Sequence, residues 1–268
     1  MQPQVVEPRD GPDAPSGVLP GVLPGAFPGA FPGAFPEASS GALPLRPLSA
    51  FPGSLAARVH LSVREAILSL ALRPGARLGK AEVCAALGVS RSPVSEAFAR
   101  LQGETLVEIV PQAGTFVARL SMDGIREGAF LREALELAAV EGVAGRVTGE
   151  EMQALRRSLR LQEAMAADGD MAGFHAADAE MHEGILLLTG HRRLPALSRT
   201  AWVHVDRARR LLLPVPGRLA ETVEEHRAIL EALERRDPEG ARVATRHHLR
   251  QLLRRIEPLA RERPDLFG

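Results

Sequence analysis

Across residues 121–268 the apolar side chains return at a spacing near 3.6, and no stretch there alternates apolar with polar. The segments R-E-A-L-E-L-A-A-V-E, E-M-Q-A-L-R-R-S-L, F-H-A-A-D-A-E-M-H-E-G-I-L-L-L and A-R-V-A-T-R-H-H-L-R-Q-L-L-R-R-I all share that period. Such a pattern admits only amphipathic helices, whose apolar stripes must cover one another, so this half is expected to be an all-α bundle.

Some of these stripes carry polar residues. Asp178 and His182 stand one helical turn apart on the face of Phe174, Met181 and Ile185. His226 falls on the stripe of Val223, Ile229, Leu230 and Leu233. The last helix opens at Asp237 and Pro238, a capping residue followed by a first-turn proline. On it His248 shares a stripe with Ala241, Ala244, Leu252 and Ile256, whereas His247 points outward with Val243, Gln251 and Arg254. Three inward histidines and one inward carboxylate are costly without partners. A divalent cation would satisfy all four, since neutral imidazole and carboxylate are its usual ligands. Ordinary hydrogen bonding within the core is the competing solution.

The first 120 residues have a different texture. Residues 17–36 read GVLP GVLP GAFP GAFP GAFP, with proline at every fourth place, which excludes helix and central strand. Residues 1–54 are therefore expected to form a disordered Pro/Gly-rich tail. In residues 55–120, Val59, Val63, Ala66, Ile67 and Leu70 mark one helix, and Pro74 and Gly75 a turn. A second short helix from Lys80 stops at Gly88, a good left-handed terminator. A third follows, with Ser92 as cap, Pro93 in its first turn, and Val94, Ala97, Phe98 and Leu101 as its inward stripe. L-V-E-I-V and G-T-F-V-A, joined by P-Q-A-G, read as a hairpin. Three helices and a hairpin in this order outline a winged helix-turn-helix, in which the third helix enters the major groove by its N-terminal turn.

The motifs L-x-P-G-x-x-L, G-V-S-R-S-P-V-S-E-A-F-x-R-L and L-V-E-I-x-P-Q-x-G-T-F-V, in fixed order over residues 72–117, resemble the DNA-binding domain of GntR-type bacterial transcription regulators. The resemblance implies DNA contacts from Lys80, Arg91, Ser92, Ser95 and Gly114. Three arginines of the family pattern are absent, their places taken by Ala81, Ser95 and Ala113. A bidentate arginine on guanine is worth roughly 1–3 kcal/mol of discrimination. Residues 55–120 also hold only 8 Arg+Lys against 5 Asp+Glu. Weak or unusual operator binding is the expectation.

D-x-x-x-H, then E-H-R-A-I-L-E-A-L-E-R-R-D-P-E-G-A, then H-L is similar to the FCD effector domain of the FadR-like branch of those regulators. In many such domains an aspartate and three histidines bind a metal beside a carboxylate-bearing metabolite. Carried over by position, the ligands are Asp178, His182, His226 and His248. His3Asp ligation suits Zn²⁺ first, then Ni²⁺, Mn²⁺ or Fe²⁺. His175 shares nearly the same face but lies about 10 Å from His182 along the axis, too far for one ion. His191 and His204 match no ligand position and read as surface or loop residues. Arg132 either adds positive charge to the ligand cavity or forms a helix-surface pair with Glu136. The run Arg207 to Arg210 reads as a solvated face.

The expected architecture is mainly α: a winged helix-turn-helix over 55–120 ahead of an all-α effector and dimerisation domain over 121–268. The expected function is a homodimeric regulator on a double-stranded DNA operator, controlled by a small carboxylate effector at the metal. The alternative is a ligand-responsive regulator whose polar cluster is purely structural. Catalysis is not expected, because Glu183, the nearest acid or base, points about 100° away from His182 around the helix. One cysteine, Cys84, forbids an internal disulfide, and no apolar run reaches membrane length, so a reduced cytoplasmic setting is expected.

Overall fold

The computed structural model describes residues 43–268. The tetrapeptide repeat, like the rest of the expected tail up to residue 42, lies outside the described residues. Residues 43–54, assigned above to that tail, are folded against the first helix: Leu43, Leu45 and Leu48 pack on its core, and Ser62 Oγ donates to the carbonyl of Arg46 (2.7 Å). Prolines at 44, 47 and 52 leave room there for only one short 3-10 turn, Leu48–Ala50, but do not prevent apolar docking.

Helix α1 (Leu55–Leu68) starts where Ser54 Oγ accepts from the Ala57 amide, and buries Val59, Val63 and Ile67. Helix α2 (Lys80–Leu87) ends at Gly88, whose φ of 65° an L side chain resists. Helix α3 (Arg91–Gly103) has Ser90 at its cap position, so Ser92 and Pro93 lie inside the first turn. This corrects the expected cap. A proline is tolerated that deep because first-turn amides have no intrahelical acceptor. Strands β1 (Val107–Val110) and β2 (Gly114–Val117) pair antiparallel, from Val107 opposite Val117 to Val110 opposite Gly114. Residues 75–78, which begin in the turn read at Pro74 and Gly75, add a further edge. The Leu78 amide donates to Thr115 and the Val117 amide to Ala76 (2.8 Å each), with Arg77 opposite Phe116. The core of this module is Val59, Val63, Ile67, Leu78, Val83, Val94, Phe98, Leu101, Leu106 and Val117.

The rest is helical: α4 (Met122–Ala144), α5 (Gly149–Asp168), α6 (Met171–Leu188), α7 (Leu194–Ala201), α8 (Val203–Leu212), α9 (Arg218–Glu234) and α10 (Pro238–Glu262). Their starts follow from local chemistry. Thr148 and Glu151 form a reciprocal capping box on α5, and Asp170 and Asp237 accept the third amide of α6 and α10. α10 lies along α4 and α9, and α5 lies along α6. Phe174, Met181, Leu186, Ile229, Leu233 and Ala241 make the centre of this second core. Phe174 is fully buried, and truncating it to alanine would cost about 3–5 kcal/mol.

Helix α8 belongs to both modules, since Val203 packs in the N-terminal core and Val205 in the C-terminal one. Residues 264–268 fold back on the connection between the modules, where the Leu120 amide donates to Leu266 (2.9 Å) and the Gly268 amide to Leu120 (3.1 Å). Among the described residues no helix is long and apolar enough to cross a membrane.

Candidate metal centre and DNA-reading surface

Three helices of the bundle aim the inward polar residues at one point. α6 supplies Asp178 and His182, α9 supplies His226 and α10 supplies His248, all buried. Nε2 of His248 lies 3.2 Å from Nε2 of His182 and 3.3 Å from Nε2 of His226. Asp178 stands beside this triad, with Oδ1 3.6 Å from His226 Nε2 and Oδ2 4.0 Å from His182 Nε2. Its Oδ2 is in ion contact with the Arg209 guanidinium.

The outer ring nitrogens decide what the inner ones can do. His182 Nδ1 lies 2.8 Å from Glu136 Oε2, His226 Nδ1 2.6 Å from Gln162 Oε1, and His248 Nδ1 2.7 Å from Glu225 Oε2. All three partners are acceptors. Burial alone would push the Glu136 carboxyl up, but Arg132 and His182 outweigh it and hold it well below the usual carboxylate range. Glu225 takes both terminal nitrogens of Arg218 (2.7 and 3.0 Å), the geometry of an ionised carboxylate. Gln162 turns its NH2 toward the Ala177 carbonyl (3.4 Å), leaving its oxygen for His226. Each Nδ1 must therefore donate.

Burial depresses the pKa of all three rings. For His226 the neighbouring histidines, and for His248 the neighbouring His182, push the same way, while Glu136 partly opposes the shift at His182. A neutral ring with its proton on Nδ1 presents a lone pair at Nε2. The His248 lone pair thus faces those of His182 and His226 at 3.2 and 3.3 Å, and the three ring nitrogens all lie within 4.8 Å of one another. A hydrogen bond between rings, the purely structural solution, needs a second proton on one of them, which burial disfavours. Two nitrogens about 2.0–2.1 Å from a tetrahedral Zn²⁺ stand about 3.3–3.4 Å apart, so the residues present fit a divalent ion.

A small cavity of about 40 Å³ opens beside the triad, lined among others by Arg132, Phe174, Asp178, Arg209, Arg218 and His248. Arg132 is in it, and its pair with Glu136 (2.6 Å) is buried rather than on a helix surface. Its guanidinium lies 5.0 Å over the Trp202 ring, and Nη2 has no hydrogen-bond partner. His175 is buried outside the triad with Nε2 unpartnered, and burial followed by Arg209, Arg210 and Arg132 pushes its pKa down to about 2. His191 and His247 are exposed.

Two expectations fail. Arg207 to Arg210 are not a solvated face: Arg207 is completely buried and donates to the Ala118 carbonyl (2.7 Å), and Arg209 reaches Asp178. α8 has an apolar stripe of Val205, Ala208, Leu211 and Leu212, Arg207 and Arg209 fall outside it, and the position of the helix between two modules explains their burial. His204, expected on the surface, is half-buried with Nε2 3.0 Å from Thr105 Oγ1. Sequence reasoning also missed Gln162, Glu225, Arg209 and Arg218 as partners of the centre. Their helical phase was readable, but not which stripe each would meet.

On the N-terminal module, Lys80, Arg91, Ser92 and Ser95 are exposed around the starts of α2 and α3, away from the buried Val94, Ala97, Phe98 and Leu101. Gly114 opens β2 next to the hairpin turn, opposite Val110, and Ala113 is exposed beside it.

Residues 55–117 match the profile described as bacterial regulatory proteins, gntR family, and residues 127–251 that of the FCD domain. An uncharacterised HTH-type transcriptional regulator in an unstable DNA locus of Streptomyces ambofaciens is 36% identical, over 78% of this chain and 88% of its own length. The HTH-type transcriptional repressor RspR of Escherichia coli K12 is 26% identical over 79% and 92%. Among solved structures, a putative transcriptional regulator GntR from Rhodococcus sp. RHA1 superposes with a TM-score of 0.66 at 28% identity, over 76% of this chain and 99% of that one.

Proposed function

The chain belongs to the GntR family of bacterial regulators and carries the FCD domain, and from that premise we propose that it is a metal-dependent sensor of a small carboxylate. It is a DNA-binding transcription regulator of this type and not an enzyme. In our reading His182, His226 and His248 hold a divalent transition ion, Zn²⁺ first, with Asp178 completing the set. The observation that carries this is the convergence of three buried Nε2 atoms, His248 lying 3.2 and 3.3 Å from the other two, while each Nδ1 faces an acceptor. When bound, the ion supplies a Lewis-acidic anchor for a ligand oxygen.

The cavity's own residues favour an anion. Arg132, Arg209 and Arg218 are matched by Glu136, Asp178 and Glu225, so a divalent ion leaves two positive charges without a counterion beside the apolar wall of Phe174 and Leu249. A small carboxylate meets both demands. Arg132 Nη2, buried and without a partner, is the donor placed to receive it.

Helix α8 supports coupling to DNA. Arg209 faces the cavity, while Val203, His204 and Arg207 on the same helix engage the N-terminal module. An effector that draws Arg209 away from Asp178 displaces a helix on which the DNA-reading module rests. It changes operator affinity only as far as it binds the two arrangements differently. We read the protein as a homodimeric repressor on a two-fold operator in the bacterial cytoplasm, in line with the repressor named among its relatives.

The test has two parts. Protein purified without an affinity tag is analysed for metal, and its affinity for duplexes recovered from a genomic fragment library is measured while small hydroxy- and keto-acids are added. Near-stoichiometric metal and an acid-dependent affinity that chelation abolishes are expected. Less than about 0.2 equivalents of any transition metal, with thermal stability indifferent to chelator, would overturn the metal reading.

A further inference from the structure

The hairpin tip, Pro111, Gln112 and Ala113, carries no cation. A wing without charge holds DNA poorly, because phosphate contacts supply most of the sequence-independent affinity. The structure offers a replacement from another part of the chain. Gly114 has φ +126°, where side chains are strained, and a Cβ built there would lie 3.3 Å from Nε of Arg77. The Arg77 side chain therefore lies across the bare backbone of Gly114, in space that only glycine leaves free.

Its position is fixed by backbone. Hydrogen bonds on either side, Leu78 to Thr115 and Val117 to Ala76, lock Arg77 opposite Phe116 on β2. Several other cations of this module are engaged elsewhere: Arg46 with Glu65, Arg64 with Glu104, Arg73 with Asp265 and Arg100 with Glu96. Arg77 is exposed and has no acidic partner among the described residues.

We propose that Arg77, laid over Gly114 just behind the hairpin tip, is the cation through which the wing engages a backbone phosphate of operator DNA. A phosphate rather than a base edge is the target because the guanidinium is held against the Gly114 backbone, just behind the tip formed by residues 111–113, with Arg77 itself locked to β2. The arginine lost at Ala113 is thereby replaced in charge but not in reach, so the wing contributes affinity with little sequence reading.

The experiment follows the anisotropy of a labelled mixed-sequence duplex titrated with the full chain over a salt series. Arg77→Ala is expected to weaken binding several-fold near 0.1 M salt and to lower the slope of log affinity against log salt by about one. Arg77→Lys keeps the slope, since it keeps the charge. Gly114→Ala, which crowds the guanidinium, lowers affinity in the parent chain and much less in the Arg77→Ala background. A parent slope in Arg77→Ala, alongside a reduced one in Arg91→Ala, would overturn the proposal. So would a loss that Arg77→Lys fails to recover, which would mark the side chain as a reader of base or groove shape. A parent chain that ignores the duplex at low salt would remove the DNA-binding premise, and the proposal with it.

Discussion

At the scale of single residues, the centre is defined less by its histidines than by what holds their outer nitrogens. Glu136, Gln162 and Glu225 each remove one option from a ring, and together they turn three ambiguous imidazoles into three aligned lone pairs. Such partners typically control metal affinity by 10–100-fold. Glu225→Gln should therefore weaken Zn²⁺ binding by about that range in a competition titration with a chromophoric chelator, with the fold intact by circular dichroism; unchanged affinity would refute the role. His175 yields a second prediction. Burial holds its folded pKa at about 2, against 6.5 when free, so below pH 6.5 the unfolded chain takes a proton that the folded chain refuses. Its contribution to stability is complete above pH 6.5 and declines as pH falls toward 2, by about 1.4 kcal/mol per unit. In metal-free protein His175→Leu should remove one proton's worth of the fall in stability between about pH 6 and pH 4, read from urea midpoints. Equal slopes in the two proteins would contradict it. His182, His226 and His248 could be placed inward from sequence because each sits on an apolar stripe. Glu225 could not, because it owes its burial to Arg218 and His248, and long-range pairing leaves no trace in local periodicity.

At the scale of elements, α8 behaves against its composition. Arg207, Arg209 and Arg210 give it the look of a solvated helix, yet it lies between the two cores with Arg207 at 0% exposure. Arg207 Nη2 donates to the Ala118 carbonyl, while Nε and Nη1 are buried without partners. A buried cation so incompletely satisfied contributes little net stability, and an apolar side chain of similar length often replaces one at no loss. Arg207→Met should therefore leave the unfolding temperature within a few degrees of the parent. It should also reduce the effector-dependent change in operator affinity, because the link from α8 to the carbonyl of Ala118 is gone. Normal effector control with Arg207→Met would show that α8 is packing alone. Most elements were legible: α2, α3, the hairpin and α10 carry their start and stop signals in four or five residues. The edge formed by residues 75–78 was hidden because Pro74 and Gly75 signal a turn, and the pairing that follows depends on β2, some forty residues on.

At the scale of the whole molecule, two ties join the DNA-reading module to the sensor. One is α8; the other is the segment 264–268, where Asp265 pairs with Arg73 (2.7 Å) and Leu266, 1% exposed, plugs the connection at Leu120. A regulator so tied cannot respond by free swinging of its modules, and any effector must work against packed surfaces that hold discrete arrangements. Linkage then makes a demand independent of pathway. If a bound acid weakens operator binding by a given factor, operator must weaken acid binding by the same factor. Titration of the acid into the metal-loaded protein, with and without saturating operator duplex, should return equal and opposite changes. Leu266→Asp, which places a carboxylate in the buried seam, should shrink both changes together while the metal content stays at parent level. Equal coupling in Leu266→Asp and parent would mean that the seam plays no part and that α8 alone carries the signal; unequal changes in the two titrations would mean that acid and operator do not share one equilibrium.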